Sequence, residues 1–276
     1  MALIQFDFKS ELLGLACSAN IVVNQRSLTH FGSGHRSPVL YLLHGLSQDH
    51  SGWIRRSSIE RYAERYDVTI VMPAVHRSFY ANTRSGYRYF DFVADELPEL
   101  CRHYFPISSD PHQTHVAGLS MGGYGAFKLA LTYPGRFGSA VSLSGPLDLS
   151  KLEHRRDELF PEWQSVFGPG EDYLGSENDL LALARRLAGR QPRLLQSCGD
   201  QDYLCPVNRS FHHEASQLGL EIEYQEPPGD HDWAYWDAQI QDALAWMQLP
   251  ELPDSSEVQL KDSTPRGEGV FKNQHE

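Results

Sequence analysis

Short uninterrupted apolar runs alternate along this chain with longer stretches whose apolar positions recur at helical spacing. The runs Val39–Leu43, Val68–Met72, His115–Leu119, Ala140–Leu143, Arg193–Ser197 and Glu221–Tyr224 predict buried strands. Between them, Ile54–Arg65 places apolar residues at 54, 59, 62 and 63, and Phe92–Tyr104 places them at 92, 93, 97, 100, 101 and 104. Tyr124–Tyr133 is largely apolar, and Phe211–Leu218 and Trp236–Met247 are amphipathic. These five stretches predict helices. A strand that is apolar at every position is covered on both faces, so the alternation predicts an α/β fold with a mostly parallel central sheet between helical layers. No repeat of solenoid or propeller length is present.

Two segments break the rhythm. Residues 148–190 are charged and partly helical, most regularly over Leu180–Leu187, and predict a small helical insertion over one end of the sheet. From Pro250 the chain turns polar, so 1–249 reads as one domain and 250–276 as a disordered or loosely attached tail. Near the start, Leu12–Cys17 superficially resembles a lipoprotein cleavage site. The preceding Phe6–Glu11 carries two acids and lacks a basic start and an apolar core, so an N-terminal strand is the better reading.

Charge narrows the partners. The chain carries 24 Lys and Arg against 36 Asp and Glu, a formal net charge of −12. Such a chain lacks the basic field that nucleic acid or an anionic membrane surface would need. No apolar run reaches the roughly 18 residues of a membrane span. The 4 cysteines are too scattered for a disulfide framework or a zinc knuckle, which makes a reduced, cytoplasmic setting the expectation. Association with further copies of the chain is left open.

The chemistry begins at Gly118-Leu119-Ser120-Met121-Gly122, which fits G-x-S-x-G. The pattern alone is weak, but an apolar strand runs into it and a helix follows at once, the setting in which a serine projects its Oγ from a tight strand-to-helix turn. A Gly-rich turn serving packing alone is the bland alternative. After Val39–Leu43 comes a second turn, His44-Gly45-Leu46-Ser47. Acyl transfer needs two backbone N–H donors for the developing oxyanion; Met121, just after the serine, and Leu46, in this earlier loop, are the candidates. His44 reads as a brace for that loop and not as the base. Asp200 and Asp202 both follow the fifth predicted strand; Asp200 suits the turn and Asp202 the acid role. His231, in the Gly-bearing loop Pro227–Trp233, is the one histidine well placed after the acid, giving the chain order Ser, Asp, His.

At this point the residues match a known family. Gly118–Gly125, Leu42–Gly45, Cys198–Leu204 and Gly229–Trp236, in this order, resemble the esterase D-like α/β-hydrolases, and among them the bacterial tributyrin esterases, often called acetyl esterases. The likeness spans about residues 3–249. It implies an α/β-hydrolase fold and a serine carboxylesterase that hydrolyses short-chain acyl esters of small molecules through an acyl-enzyme. No metal and no organic cofactor is implied. By position, Ser120 resembles the nucleophile, Asp202 the acid, His231 the base, and Leu46 and Met121 the oxyanion donors. Trp53, Tyr87 and Trp233 are the expected substrate contacts, in a mouth also crowded by Phe79, Tyr80 and Trp236. Phe160, Trp163 and Phe167 are expected to face the site from the insertion as a partial lid. Carbohydrate acetyl or feruloyl esterases and S-formylglutathione hydrolases share the chemistry. The loop Gly45–His50 lacks the Cys usual in the last of these, which counts against glutathione thioesters. A hydrolase fold kept as a binding module is the non-catalytic alternative.

Overall fold

The computed structural model describes residues 1–32, 34–155, 162–187 and 191–253. The chain opens with a hairpin, β1 (Ala2–Ser10) and β2 (Leu15–Val23), followed by α1 (Gln25–Phe31). Strands β3 (Val39–Leu43) and β4 (Thr69–Pro73) flank α2 (Gly52–Arg56) and α3 (Ile59–Ala63). A short helix α4 (Tyr89–Asp91) passes through a π-helical turn, Phe92–Glu96, into α5 (Leu97–Tyr104). Then follow β5 (Thr114–Leu119), α6 (Met121–Thr132) and β6 (Ser139–Leu143). The remaining elements are α7 (Trp163–Phe167), α8 (Leu180–Arg186), β7 (Arg193–Ser197), α9 (Cys205–Gln217), β8 (Ile222–Gln225) and α10 (Trp233–Trp246).

The strands form a sheet in the order β1-β2-β4-β3-β5-β6-β7-β8. The hairpin pairs antiparallel with itself and with β4, and the other neighbours are parallel. Successive side chains of a strand point to opposite faces. Tyr41, Val116, Ala140 and Leu194 therefore pack to one side with Leu97, Phe127 and Phe211 of the helices there. Leu40, Ile70, Ala117 and Val141 pack to the other, with Trp53, Ile240 and Leu244. Both faces being buried is the reason these strands read as continuous apolar runs. Each fully buried Leu, Ile, Val or Phe contributes about 1.5–3 kcal/mol.

The elements differ from the sequence expectations at several points. The predicted helix over 54–65 is two short helices, α2 and α3, and α9 and α10 begin ahead of Phe211 and Trp236, where Pro206 and an Asp232 cap start them. Helix α1 had no strong periodic signal. The N-terminal strand is a full hairpin, with Gly14 at φ 65° in its turn and Leu12 and Leu13 within it. Finally, packing continues past residue 249. Asp67 N donates to Pro250 O at 2.8 Å, Leu252 N donates to Arg65 O at 2.8 Å, and Leu252 is buried. The polar tail beyond it, 254–276, lies outside the described residues.

Two buried histidines make the fold acid-sensitive. Burial lowers His44 and His115 to about 4, with Arg193 adding to the effect at His115. An unfolded histidine takes up its proton near pH 6.5. Between those values the unfolded chain binds more protons, so stability is lost as pH falls from about 6.5 toward 4. By pH 5 the loss is about 2 kcal/mol per histidine. The urea midpoint is expected to drop between pH 7 and pH 5, and to drop less in His115→Gln. A midpoint that is flat across this range would show that neither ring stays neutral in the folded protein.

Candidate active site

Strand β5 delivers Ser120 to the carboxyl edge of the sheet, where open α/β sheets build their sites. Its backbone is strained, with φ 50° and ψ −120°, a region that costs a non-glycine residue about 1–3 kcal/mol. Ser120 N still donates to Leu143 O at 2.8 Å, so the sheet ladder holds the residue as the chain reverses into α6. That reversal presses Gly122 against β3. A Cβ there would sit 2.4 Å from Leu43 O and 2.8 Å from His44 O, so a side chain would force the Ser120 turn away from the 44–47 loop.

Asp202 and His231 arrive on two loops that touch. Gln201 N donates to Gly229 O at 2.9 Å, and Gly229 N donates to Asp200 Oδ1 at 3.1 Å. Gly199 packs so closely on Gly229 that a Cβ would lie 2.3 Å from its carbonyl oxygen. Asp200 thus joins the two loops through its side chain. Asp202 is buried and faces the other way. Its Oδ2 lies 2.9 Å and its Oδ1 3.1 Å from His231 Nδ1, and Leu204 N donates to Oδ1 at 2.8 Å. Burial alone would raise this carboxyl. The hydrogen bond and charge of His231, with help from Leu204 N–H and Ser144, hold it below the usual carboxylate range. On the far side of the ring, His231 Nε2 lies 3.1 Å from Ser120 Oγ.

Asp202 fixes the tautomer. An ionised carboxylate only accepts, so Nδ1 carries the proton and Nε2 presents a lone pair to the serine. The edge of Trp236 packs on the ring at 5.0 Å between centroids, and Tyr203 packs at 4.7 Å. The imidazole is therefore held by one hydrogen-bonded carboxylate and two aromatic walls.

The loop of residues 44–47 is braced from below. His44 is buried and neutral: its Nδ1–H donates to Gly45 O at 2.8 Å and its Nε2 accepts from Val75 N at 3.1 Å. Tyr80 Oη donates to His44 O at 3.0 Å, and Trp53 Nε1 donates to Leu43 O at 3.1 Å. Gln48 closes the turn by accepting from Gly45 N at 3.3 Å and donating its own N–H to Gly45 O. Leu46 lines the same cavity as Ser120. Met121 begins α6, where the first N–H groups have no partner within the helix.

That cavity has a volume of about 240 Å³ and is walled by Phe79, Leu152, Trp163, Tyr203 and Trp236 around Ser120 and His231. The expected substrate contacts fare differently. Trp53 is a core residue, 1% exposed, and does not line the cavity, because its indole N–H is committed to Leu43 O and its ring to Trp233. Tyr87 is exposed, packs on Tyr89, and is also absent from the lining. Trp233 lines an adjoining cavity instead. Within the insertion, Trp163 faces the site, Phe167 is buried against Phe79 and Tyr173, and Phe160 lies outside the described residues. The insertion is tied to the 44–47 loop by Arg77, whose Nη1 donates to Ser47 Oγ at 2.8 Å and whose Nε pairs with Glu162 at 3.0 Å. Tyr203, Pro146 and Leu152 were not anticipated, and no pattern in the sequence marks them as lining residues.

A doubly wound sheet with a serine on the turn after β5, a carboxylate on the loop after β7 and a histidine on the loop after β8 defines an α/β-hydrolase. Residues 29–247 match the esterase family model, and the chain belongs to that family. It is 33% identical over 218 residues to an acetyl esterase of Caldicellulosiruptor saccharolyticus, covering 75% of this chain and 82% of that protein. Among solved structures it is similar to FphF, a fluorophosphonate-binding serine hydrolase of Staphylococcus aureus, with its substrate bound. The TM-score is 0.80 at 32% identity, covering 89% of this chain and 98% of that one. It is equally similar to FrmB of Staphylococcus aureus, an S-formylglutathione hydrolase, with the same TM-score, identity and coverage. The chain is a carboxylic ester hydrolase. Among the described residues no helix is long and apolar enough to cross a membrane.

Proposed function

We propose that the protein hydrolyses short-chain acyl esters of small alcohols through a covalent acyl-enzyme on Ser120, His231 and Asp202. The observation that carries this reading is the unbroken line from Asp202 through His231 to Ser120 Oγ, at 2.9 and 3.1 Å. His231 Nε2 takes the serine proton as Oγ bonds to the ester carbonyl carbon. The carbonyl oxygen, now negative, lies against the N–H groups of Leu46 and Met121; one such donor is worth about 2.7–4 kcal/mol in the transition state. Collapse of the adduct breaks the bond to the alcohol oxygen, which leaves with the proton held by His231. Water then attacks the acyl-enzyme by the same route and frees the acid.

Cavity size supports the preference for short acyl groups. At about 240 Å³, closed by Trp163, Leu152 and Phe79, the space falls below the roughly 300–1,000 Å³ that holds a drug-sized ligand. On p-nitrophenyl esters from C2 to C12, kcat/KM is expected to peak at C2–C4. It should fall at least about tenfold by C8, where each unplaced methylene forfeits up to ~0.8 kcal/mol. A first-turnover burst of p-nitrophenol is expected if deacylation is slower than acylation. A profile that rises with chain length would refute the short-chain reading.

A further inference from the structure

On the far side of the oxyanion loop lies a second cavity of about 440 Å³ that the proposed reaction leaves unused. Ser47 and Gln48 line both cavities, so the loop is a shared wall. The second space is lined by Arg55, Arg56, His50 and His76, with Trp233 and a single carboxylate, Asp49. We propose that this cavity receives an anionic group, carboxylate or phosphate, on the alcohol side of the ester. The proposal rests on the ester-hydrolase reading above and adds the class of leaving group.

Position assigns the cavity to the alcohol and not to the acyl group. The leaving oxygen must take its proton from His231, so the alcohol departs on the side of the 231–236 segment. There Trp236 packs on His231, Trp233 packs on Trp236 at 5.6 Å, and Trp233 opens onto the second cavity. An alcohol a few atoms long passes along these rings and across Ser47 and Gln48.

Charge assigns the group. Arg55 and Arg56 are exposed, and neither has an acidic partner among the described residues. Asp49 forms no ion pair with either guanidinium; its Oδ1 is held instead by Ser51 N at 2.8 Å and Ser51 Oγ at 2.6 Å. Asp7 accepts from the rim residue Ser18 at 2.6 Å. On a chain of net charge −12, two unpaired guanidiniums facing a concave space form a local attractor for anions. His50 adds a second sign of an absent polar partner. Its Nδ1 is buried without a hydrogen bond, a cost that a polar group in the cavity relieves once the ring turns to meet it.

The test compares matched pairs of acetyl esters: 4-acetoxybenzoate against phenyl acetate, and 1-acetylglycerol 3-phosphate against 1-acetylglycerol. At low salt the anionic member of at least one pair is expected to show a KM about five- to tenfold below its neutral partner. In Arg55→Ala/Arg56→Ala that advantage should shrink to about twofold or less, with kcat on the neutral esters unchanged, and 0.5 M salt should shrink it likewise. Lysine at both positions should retain most of it. A response in one pair only identifies the carboxylate or the phosphate as the group taken. If the anionic and neutral esters keep the same KM ratio in the wild type and the double variant, the inference is overturned while the esterase reading stands. Should no Ser120-dependent hydrolysis be found, the esterase reading fails. Calorimetric titration with glycerol 3-phosphate then still decides the site: binding lost in the double variant upholds it, and no binding to the wild type overturns it.

Discussion

Ser120→Ala is expected to lower kcat on p-nitrophenyl acetate by about 10⁶-fold and to abolish any burst, the loss that follows removal of a nucleophile acting together with its base. The variant removes one oxygen atom from a residue whose backbone the structure over-determines. Ser120 N is held by Leu143 O, Tyr124 N donates to Ser120 O at 3.1 Å, and Gly122 packs on β3, all independent of Oγ. Folding and substrate binding should therefore survive, and the thermal midpoint should move little. That separates loss of chemistry from loss of structure. The residual rate should exceed the uncatalysed reaction, because the Leu46 and Met121 amides remain in place. Cys at position 120 offers a finer reading, since a thiolate in the same geometry should still acylate. Retention of wild-type turnover by Ser120→Ala would end the acyl-enzyme mechanism.

The fold was largely legible because its strands are buried on both faces. Tyr41 and Leu40 face opposite layers, and each layer demands an apolar residue, so period and composition agree. Strand β8 carried a weaker signal, its residues being only partly buried at the sheet edge. Elements outside the layered core, such as α1, left little trace. The tight turn at 118–122 was legible because close approach by β3 and strain at Ser120 require small neighbours.

The aromatic contacts were not legible. An indole is equally useful in a core and in a pocket, and only geometry shows that Trp53 spends its N–H on Leu43 O while Trp236, bonded to Ser144 Oγ at 3.2 Å, keeps a ring edge toward His231. Tyr203 escaped notice for the converse reason: nothing about a lone Tyr beside Asp202 says that its ring packs on the base. The boundary at 249 came from composition, whereas the backbone bonds of Pro250 and Leu252 to Asp67 and Arg65 are invisible to it.

Replacing Asp202 by Asn is expected to cost about 10⁴-fold in kcat, while the same change at Asp200 should cost less than about tenfold. The two residues face opposite partners. Asp200 only needs to accept from Gly229 N, which an amide oxygen does as well. Asp202 must accept twice, from Leu204 N and from His231 Nδ1–H. An Asn side chain has one acceptor and one donor end. If its oxygen keeps the Leu204 bond, its NH₂ faces Nδ1 and drives the imidazole proton to Nε2, where it blocks proton transfer from Ser120. If the amide flips, the NH₂ meets the Leu204 N–H, donor against donor, in a buried site. Either arrangement disables the base without removing it. Nitrogen NMR of the imidazole should then show Nε2 protonated in the variant and Nδ1 protonated in the wild type. Equal losses from the two variants would mean that this site needs negative charge in the loop and not a directed tautomer; a larger loss from Asp200→Asn would assign the acid role to the wrong side of the turn.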